Sequence, residues 1–169
     1  MCIRDRRLTG LTVAFVGDGA DNMVHSYLLA GATAGMHVRI GFPTEYAPDP
    51  AVVADAERIA VTTGGSVLLT NDPAEAVAGA DVVVTDTWVS MGREDEKAVR
   101  IEALSPFQVT AELMATAASD ALFLHCLPAD RGYEVAPEVI DGPQSVIWDE
   151  AENRLHAQKA LLIWLLDHA

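Results

Sequence analysis

Thr12-Val13-Ala14-Phe15-Val16-Gly17-Asp18-Gly19 packs five strand-forming residues against a glycine–aspartate–glycine turn. Downstream, Met23, Leu28, Leu29, Ala32 and Met36 recur at mostly helical spacing across residues 22–36. The run therefore predicts a strand, a tight turn and a helix. Because the strand is apolar throughout rather than alternating, it belongs to a sheet buried on both faces.

The same unit recurs along the chain. Residues 37–42 predict a second strand closed by Pro43, and Pro48-Asp49-Pro50 opens a helix over 51–61 with Asp49 as N-cap and Pro50 in the first turn. Gly64-Gly65 stops that helix, 66–69 is a third strand, and Asp72-Pro73 caps a short helix reaching Ala78. A fourth strand is expected at 81–85, a charged stretch at 93–100, a helix near 110–117 and a strand at 121–125. A last short strand at 145–148 and a C-terminal helix over 151–166 complete the reading. Apolar strands alternating with helices call for right-handed crossovers and a mainly parallel sheet. The predicted fold is α/β, a three-layer α/β/α sandwich with a Rossmann-like sheet. The carboxyl ends of its strands collect the three most polar turns, 17–22, 86–92 and 125–128, on one edge.

Composition narrows the function. The chain has 169 residues, 25 acidic and 11 basic, for a net charge of −14. This length predicts one domain with a real core, and this charge argues against nucleic acid or an anionic membrane as partner. With no stretch of transmembrane length and no apolar signal segment, a cytoplasmic protein is expected. Cys2 and Cys126 make no disulfide framework, and no second ligand stands at zinc-finger spacing, so no structural metal is expected.

Two strand ends carry candidate chemistry. His125-Cys126-Leu127-Pro128 delivers a thiol where α/β proteins place ligands, and Asp86-Thr87-Trp88-Val89-Ser90-Met91-Gly92 puts a carboxylate, a hydroxyl and a glycine into one loop. The turn Gly17-Asp18-Gly19 is a poor dinucleotide fingerprint, since Asn22 stands where a third small residue belongs. Asp18 and Asp21 would repel a pyrophosphate, whereas Asn22 and free backbone N–H groups suit the carboxylate of a small zwitterion. Each residue also has a plainer reading. Asp18 or Asp21 caps the helix, Asp86 caps its own loop, Ser90 makes a local turn, and Arg154 pairs with Asp149 or Glu150. His125 is read as structural and Trp88 as packing.

Together, Phe15-Val16-Gly17-Asp18-Gly19, Asn22-Met23, His25-Ser26, the 86–92 loop, His125-Cys126-Leu127-Pro128-Ala129 and Glu152-Asn153-Arg154 with His156 and Lys159-Ala160 resemble the aspartate/ornithine carbamoyltransferase family, and ornithine carbamoyltransferase within it. The resemblance runs from about residue 8 to the C-terminus and corresponds to the amino-acid-binding half of a family member. The Ser-x-Arg-Thr carbamoyl phosphate loop and the His-Pro-x-Gln segment of the other half have no counterpart among these residues. Residues 1–6 do not resemble the family and are expected to be a non-native or disordered lead; residues 7–169 are expected to form the ornithine-binding domain.

The resemblance implies that the ornithine δ-amine attacks the carbonyl carbon of carbamoyl phosphate, giving citrulline and phosphate without metal or organic cofactor. It implies Asp86 for the α-ammonium, and Asn22, Ser90 and the Met91 backbone for the α-carboxylate. Cys126 would meet the reacting amine and the carbamoyl group, with a thiolate assisting deprotonation or positioning. The Leu127 carbonyl would accept from the carbamoyl NH₂, and Arg154 would reach carbamoyl phosphate and steady the oxyanion. It further implies a homo-oligomer, trimeric in full-length members, with the 151–166 helix packed on the carbamoyl phosphate domain. Aspartate enzymes of the family carry proline in place of Cys126 and lack the Ser-Met-Gly loop, and Asp86 would repel a second substrate carboxylate, so ornithine is favoured. One departure is Asp21-Asn22, where many members have two asparagines. The competing readings are a non-catalytic amino-acid-binding or interaction domain, and a nucleotide-dependent oxidoreductase half.

Overall fold

The computed structural model describes residues 7–89, Gly92 and 94–168. The expected lead at 1–6, and Ser90 and Met91, lie outside the described residues. Five strands, β1 (Thr12–Val16), β2 (His37–Gly41), β3 (Ser66–Thr70), β4 (Val82–Thr85) and β5 (Leu122–His125), form one sheet in the order β3-β2-β1-β4-β5. Every neighbouring pair is parallel. The helices are α1 (Asn22–Thr33), α2 (Pro50–Thr63), α3 (Pro73–Val77), α4 (Lys97–Leu104), α5 (Ala111–Met114), α6 (Pro137–Ile140) and α7 (Ile147–Asp167).

Alternation along the strands builds the layers. Val13 and Phe15 of β1 join Val38, Ile40, Val82 and Val84 in a core closed by α1 and α2 through Leu28, Ala32, Ala56 and Ala60. Ala14 and Val16 point the other way, with Val83 and Phe123, against Val77, Phe107, Met114 and Ile140. Each fully buried side chain of this kind contributes about 1.5–3 kcal/mol. The close approach of α1 to β2 depends on Gly31, where a Cβ would fall 2.5 Å from a Val38 methyl.

Helix starts follow side-chain chemistry. Asp21 accepts from the Met23 N–H at 2.7 Å, Asp49 from Ala51 at 2.7 Å and Asp72 from Ala74 at 2.9 Å, each satisfying a donor the helix cannot. Of the two aspartates in the first turn, Asp21 is thus the α1 cap. Gly64 ends α2 with φ of 79°.

The structure differs from or adds to the sequence reading in four places. Helix α1 ends at Thr33 rather than reaching residue 36, because Gly35 turns with φ of 71° and Met36 enters the core. The charged stretch contains α4, which buries Arg100 and Leu104. A further short helix, α6, was not anticipated. Residues 145–148 are not a strand: Ser145 makes an isolated bridge to Phe123, and the chain enters α7 at Ile147. There the Phe123 N–H donates to Gln144 at 2.8 Å and the Val146 N–H returns to Phe123 at 3.0 Å, after which helical bonding takes over. Helix α7 buries only Ile147, and the side chains from 152 to 168 are all exposed.

Candidate active site

In this strand order the chain leaves β1 toward β2, while β4 lies on its other side, so a crevice opens at the carboxyl ends of β1 and β4. The turn at 17–22, the loop from residue 86 and the corner at 125–128 meet there, as the strand-end argument requires. A cleft of about 290 Å³, lined by Asp86, Thr87, Val89, Cys126, Leu127, Pro128 and Asp130, occupies the β4–β5 part of the edge. That volume suits a small molecule of amino-acid size.

Asp86 and Cys126 are half-buried and face each other; with His125, their polar atoms all lie within 4.8 Å. Asp86 Oδ1 accepts the Thr87 N–H at 2.7 Å, which sets its rotamer. Burial pushes the Cys126 thiol up to about 12, helped by the charge of Asp86, by the hydrogen bond donated to it, and by Glu150 and Asp21. The raised value favours the thiol over the thiolate at neutral pH. Burial likewise raises the carboxyls of Asp21 and Glu150, each further raised by Asp86. Such an excess of negative groups favours a cationic ligand.

His125 belongs to the framework. Its ring is fully buried, and Nδ1 accepts the Leu127 N–H at 2.9 Å, which leaves the proton on Nε2, 3.3 Å from Glu134 Oε1. Glu134 also accepts the Asp130 N–H at 2.5 Å, so the corner is held from both ends. Nε2 makes no hydrogen bond although Glu134 is near, and of the three-residue cluster Asp86 and Cys126 line the cleft whereas His125 does not. Leu127, which lines it, takes φ of 60°, a left-handed conformation that costs a non-glycine residue about 1–3 kcal/mol and is met where surroundings impose it.

Other expected residues are placed more loosely. Asn22 is exposed as the first residue of α1, beside the Asp21 cap. Arg154 is exposed on α7 one turn beyond Glu150, and its charge partly offsets the raised carboxyl of Glu150. Trp88 is buried packing, with its indole against Gly17, where a Cβ would fall 3.4 Å from Nε1.

Sequence reading missed Arg100 and Glu150. Arg100 is 2 % exposed, pairs with the buried Asp18, donates from Nε to the Trp88 carbonyl at 2.5 Å and stacks 4.8 Å over the Tyr46 ring. Glu150 accepts the His125 N–H at 2.9 Å. An arginine amid acidic neighbours carries no periodic signal of burial, and Glu150 had been weighed only as a partner for Arg154.

Residues 9–165 match the family described as aspartate/ornithine carbamoyltransferase, Asp/Orn binding domain. The chain belongs to that family. It is 71% identical to an ornithine carbamoyltransferase of Clavibacter sepedonicus over 168 residues, covering 98% of this chain and 55% of that protein. A Renibacterium salmoninarum ornithine carbamoyltransferase is 65% identical, over 96% of this chain and 52% of that one. Among solved structures, the Pyrococcus furiosus ornithine carbamoyltransferase superposes with a TM-score of 0.91 at 48% identity, covering 95% of this chain and 51% of that one. The family member thus spans about half the length of the relatives it matches.

Proposed function

We propose that this chain is the ornithine-binding part of an ornithine carbamoyltransferase. The observation that carries the reading is the Asp86 carboxylate facing the Cys126 thiol in a small, negatively biased cleft at the β4–β5 edge. Ornithine is a zwitterion with an additional ammonium, and Asp86 offers its α-ammonium a charged acceptor. Asn22 at the N-terminus of α1, with Ser90 and the Met91 backbone, takes the α-carboxylate. Cys126 and the Leu127 carbonyl sit by the reacting carbon, and Arg154 supplies positive charge to carbamoyl phosphate and to the tetrahedral oxyanion.

In the reaction a new C–N bond forms between the neutral δ-amine and the carbamoyl carbon. The C–O bond to phosphate breaks, phosphate leaves with that electron pair, and the proton lost by the amine ends on the phosphate. Most of the acceleration comes from holding the two substrates together. A homo-oligomer in the cytoplasm, with α7 docked on a carbamoyl phosphate domain, is part of this proposal. A dinucleotide reading is disfavoured by Asp21 in the turn that would meet a pyrophosphate and by Asn22 where a third small residue belongs, Asp18 being paired with Arg100.

The test is calorimetry on the purified 169-residue chain with ornithine, aspartate and NAD, together with an assay for citrulline. Saturable ornithine heat, no aspartate or NAD heat and no citrulline are expected. NAD binding, aspartate binding in preference to ornithine, or citrulline formation by this chain alone would overturn it.

A further inference from the structure

β5 is an edge strand, so the N–H groups on its outer side need acceptors from elsewhere. Phe123 finds one in the Gln144 carbonyl. Two residues on, at His125, the neighbouring chain has already turned into α7, and the acceptor is the Glu150 side chain, Oε2 at 2.9 Å. We infer that Glu150 is a positioning residue: its carboxylate stands in for the absent ladder partner of His125 and so fixes where the end of β5 delivers Cys126 and Leu127.

The bond acts through a short chain of contacts. Holding the His125 backbone holds its ring, and the ring accepts the Leu127 N–H at 2.9 Å, so one acceptor on α7 orders the corner through residue 127. Glu150 is half-buried, and burial raises its carboxyl, an unfavourable setting for a charge that its hydrogen bond helps offset. The role needs an acceptor oxygen at that reach and does not need the charge. Arg154 follows four residues later, one turn along the same helix, so the contact also fixes the start of the helix that carries it.

The inference rests on the ornithine reading only for its affinity readout. Amide hydrogen exchange and ornithine calorimetry are compared for the wild-type chain, Glu150→Ala, Glu150→Gln and Glu150→Asp. In Glu150→Ala the protection of the His125 N–H is expected to fall about tenfold more than that of Val84, with an affinity loss of about tenfold. Glu150→Gln restores both to within about threefold, because the amide oxygen reaches the same place. Glu150→Asp keeps the charge but withdraws the acceptor by one methylene, and it should behave like Glu150→Ala; it also supplies the contrast if the alanine variant fails to fold. Unchanged His125 protection in Glu150→Ala, or a Glu150→Gln variant as impaired as Glu150→Asp, overturns the inference. Absence of ornithine binding by the wild type overturns the functional reading alone, since exchange at His125 still decides the role of Glu150.

Discussion

The Arg100 guanidinium and the Asp18 carboxylate form a buried ion pair that ties α4 to the turn after β1. Arg100 also holds the Trp88 carbonyl, two residues beyond Asp86, while Asp18 lies four residues before Asn22. The two turns that would grip opposite ends of an amino acid are thus fixed to each other. Removing one member of such a pair strands a buried charge, which costs about 3–5 kcal/mol. Arg100→Met is expected to lower unfolding free energy by that amount in urea titrations, and adding Asp18→Asn to recover part of it. An Arg100→Met chain as stable as wild type would dismiss the pair as incidental.

Substrate grip separates the two cleft residues. Asp86→Asn is expected to weaken ornithine binding by about 1.5–3 kcal/mol, the scale of a hydrogen bond to a charged group. Cys126→Ala should weaken it less, since a protonated thiol brings no charge to the ammonium. Calorimetric titrations that rank the two variants in the opposite order would reverse the assigned roles.

Cys126 gives the fold an alkaline limit. Burial, with Asp86 beside it, pushes its thiol up to about 12 in the folded chain, against 9.0 for an unperturbed one. Between those values the unfolded chain has lost a proton that the folded chain keeps, so stability falls as pH rises through the window. The contribution is fully present below pH 9 and gone above about 12. Tyr27, raised by burial, acts in the same direction at higher pH. Urea midpoints are expected to decline from pH 8.5 to 10.5, and to decline less in Cys126→Ala; parallel curves for the two proteins would contradict this assignment of the proton.

Much of this architecture could be read from residues alone, for reasons visible in particular elements. β1, β4 and β5 are built on apolar runs, and such runs in an alternating chain belong to a parallel sheet covered on both faces. Asp49-Pro50 and Asp72-Pro73 announce helix starts because side-chain oxygen and fixed φ both act within two residues. What escaped was whatever depends on distant partners. α4 reads as a solvated stretch because its buried positions are Arg100 and Leu104, and an arginine is buried only when an Asp18 awaits it across the fold. The 145–148 segment has strand composition, yet its ladder stops after one bridge because Glu150 completes the edge from a helix. Asp86 and Cys126 were legible as strand-end residues, whereas the raised thiol depends on the burial of its site and on Asp86, Glu150 and Asp21 nearby, which distant elements bring together.

Helix α7 should govern association. Leu162 is 61 % exposed and Leu166 is 78 % exposed, within an apolar run that this domain leaves uncovered. Exposed apolar surface of this kind marks an interface or an aggregation hazard. The 169-residue chain is expected to self-associate at micromolar concentration by light scattering. Leu162→Glu or Leu166→Glu should shift it toward monomer with an unchanged thermal midpoint. A wild-type chain that scatters as a clean monomer would refute the expectation.

The exposed length of α7 also has a mechanical side. From Glu150 to Leu166 the helix runs about 24 Å, so a tilt of about five degrees about its anchored end carries the tip through about 2 Å. Read in reverse, a grip on the far turns works with a long lever arm against a single fulcrum at the end of β5. A neighbour seated on those leucines, touching nothing near the cleft, would apply torque to the strand end that carries Cys126, and assembly would be felt at the reacting groups as a change of aim.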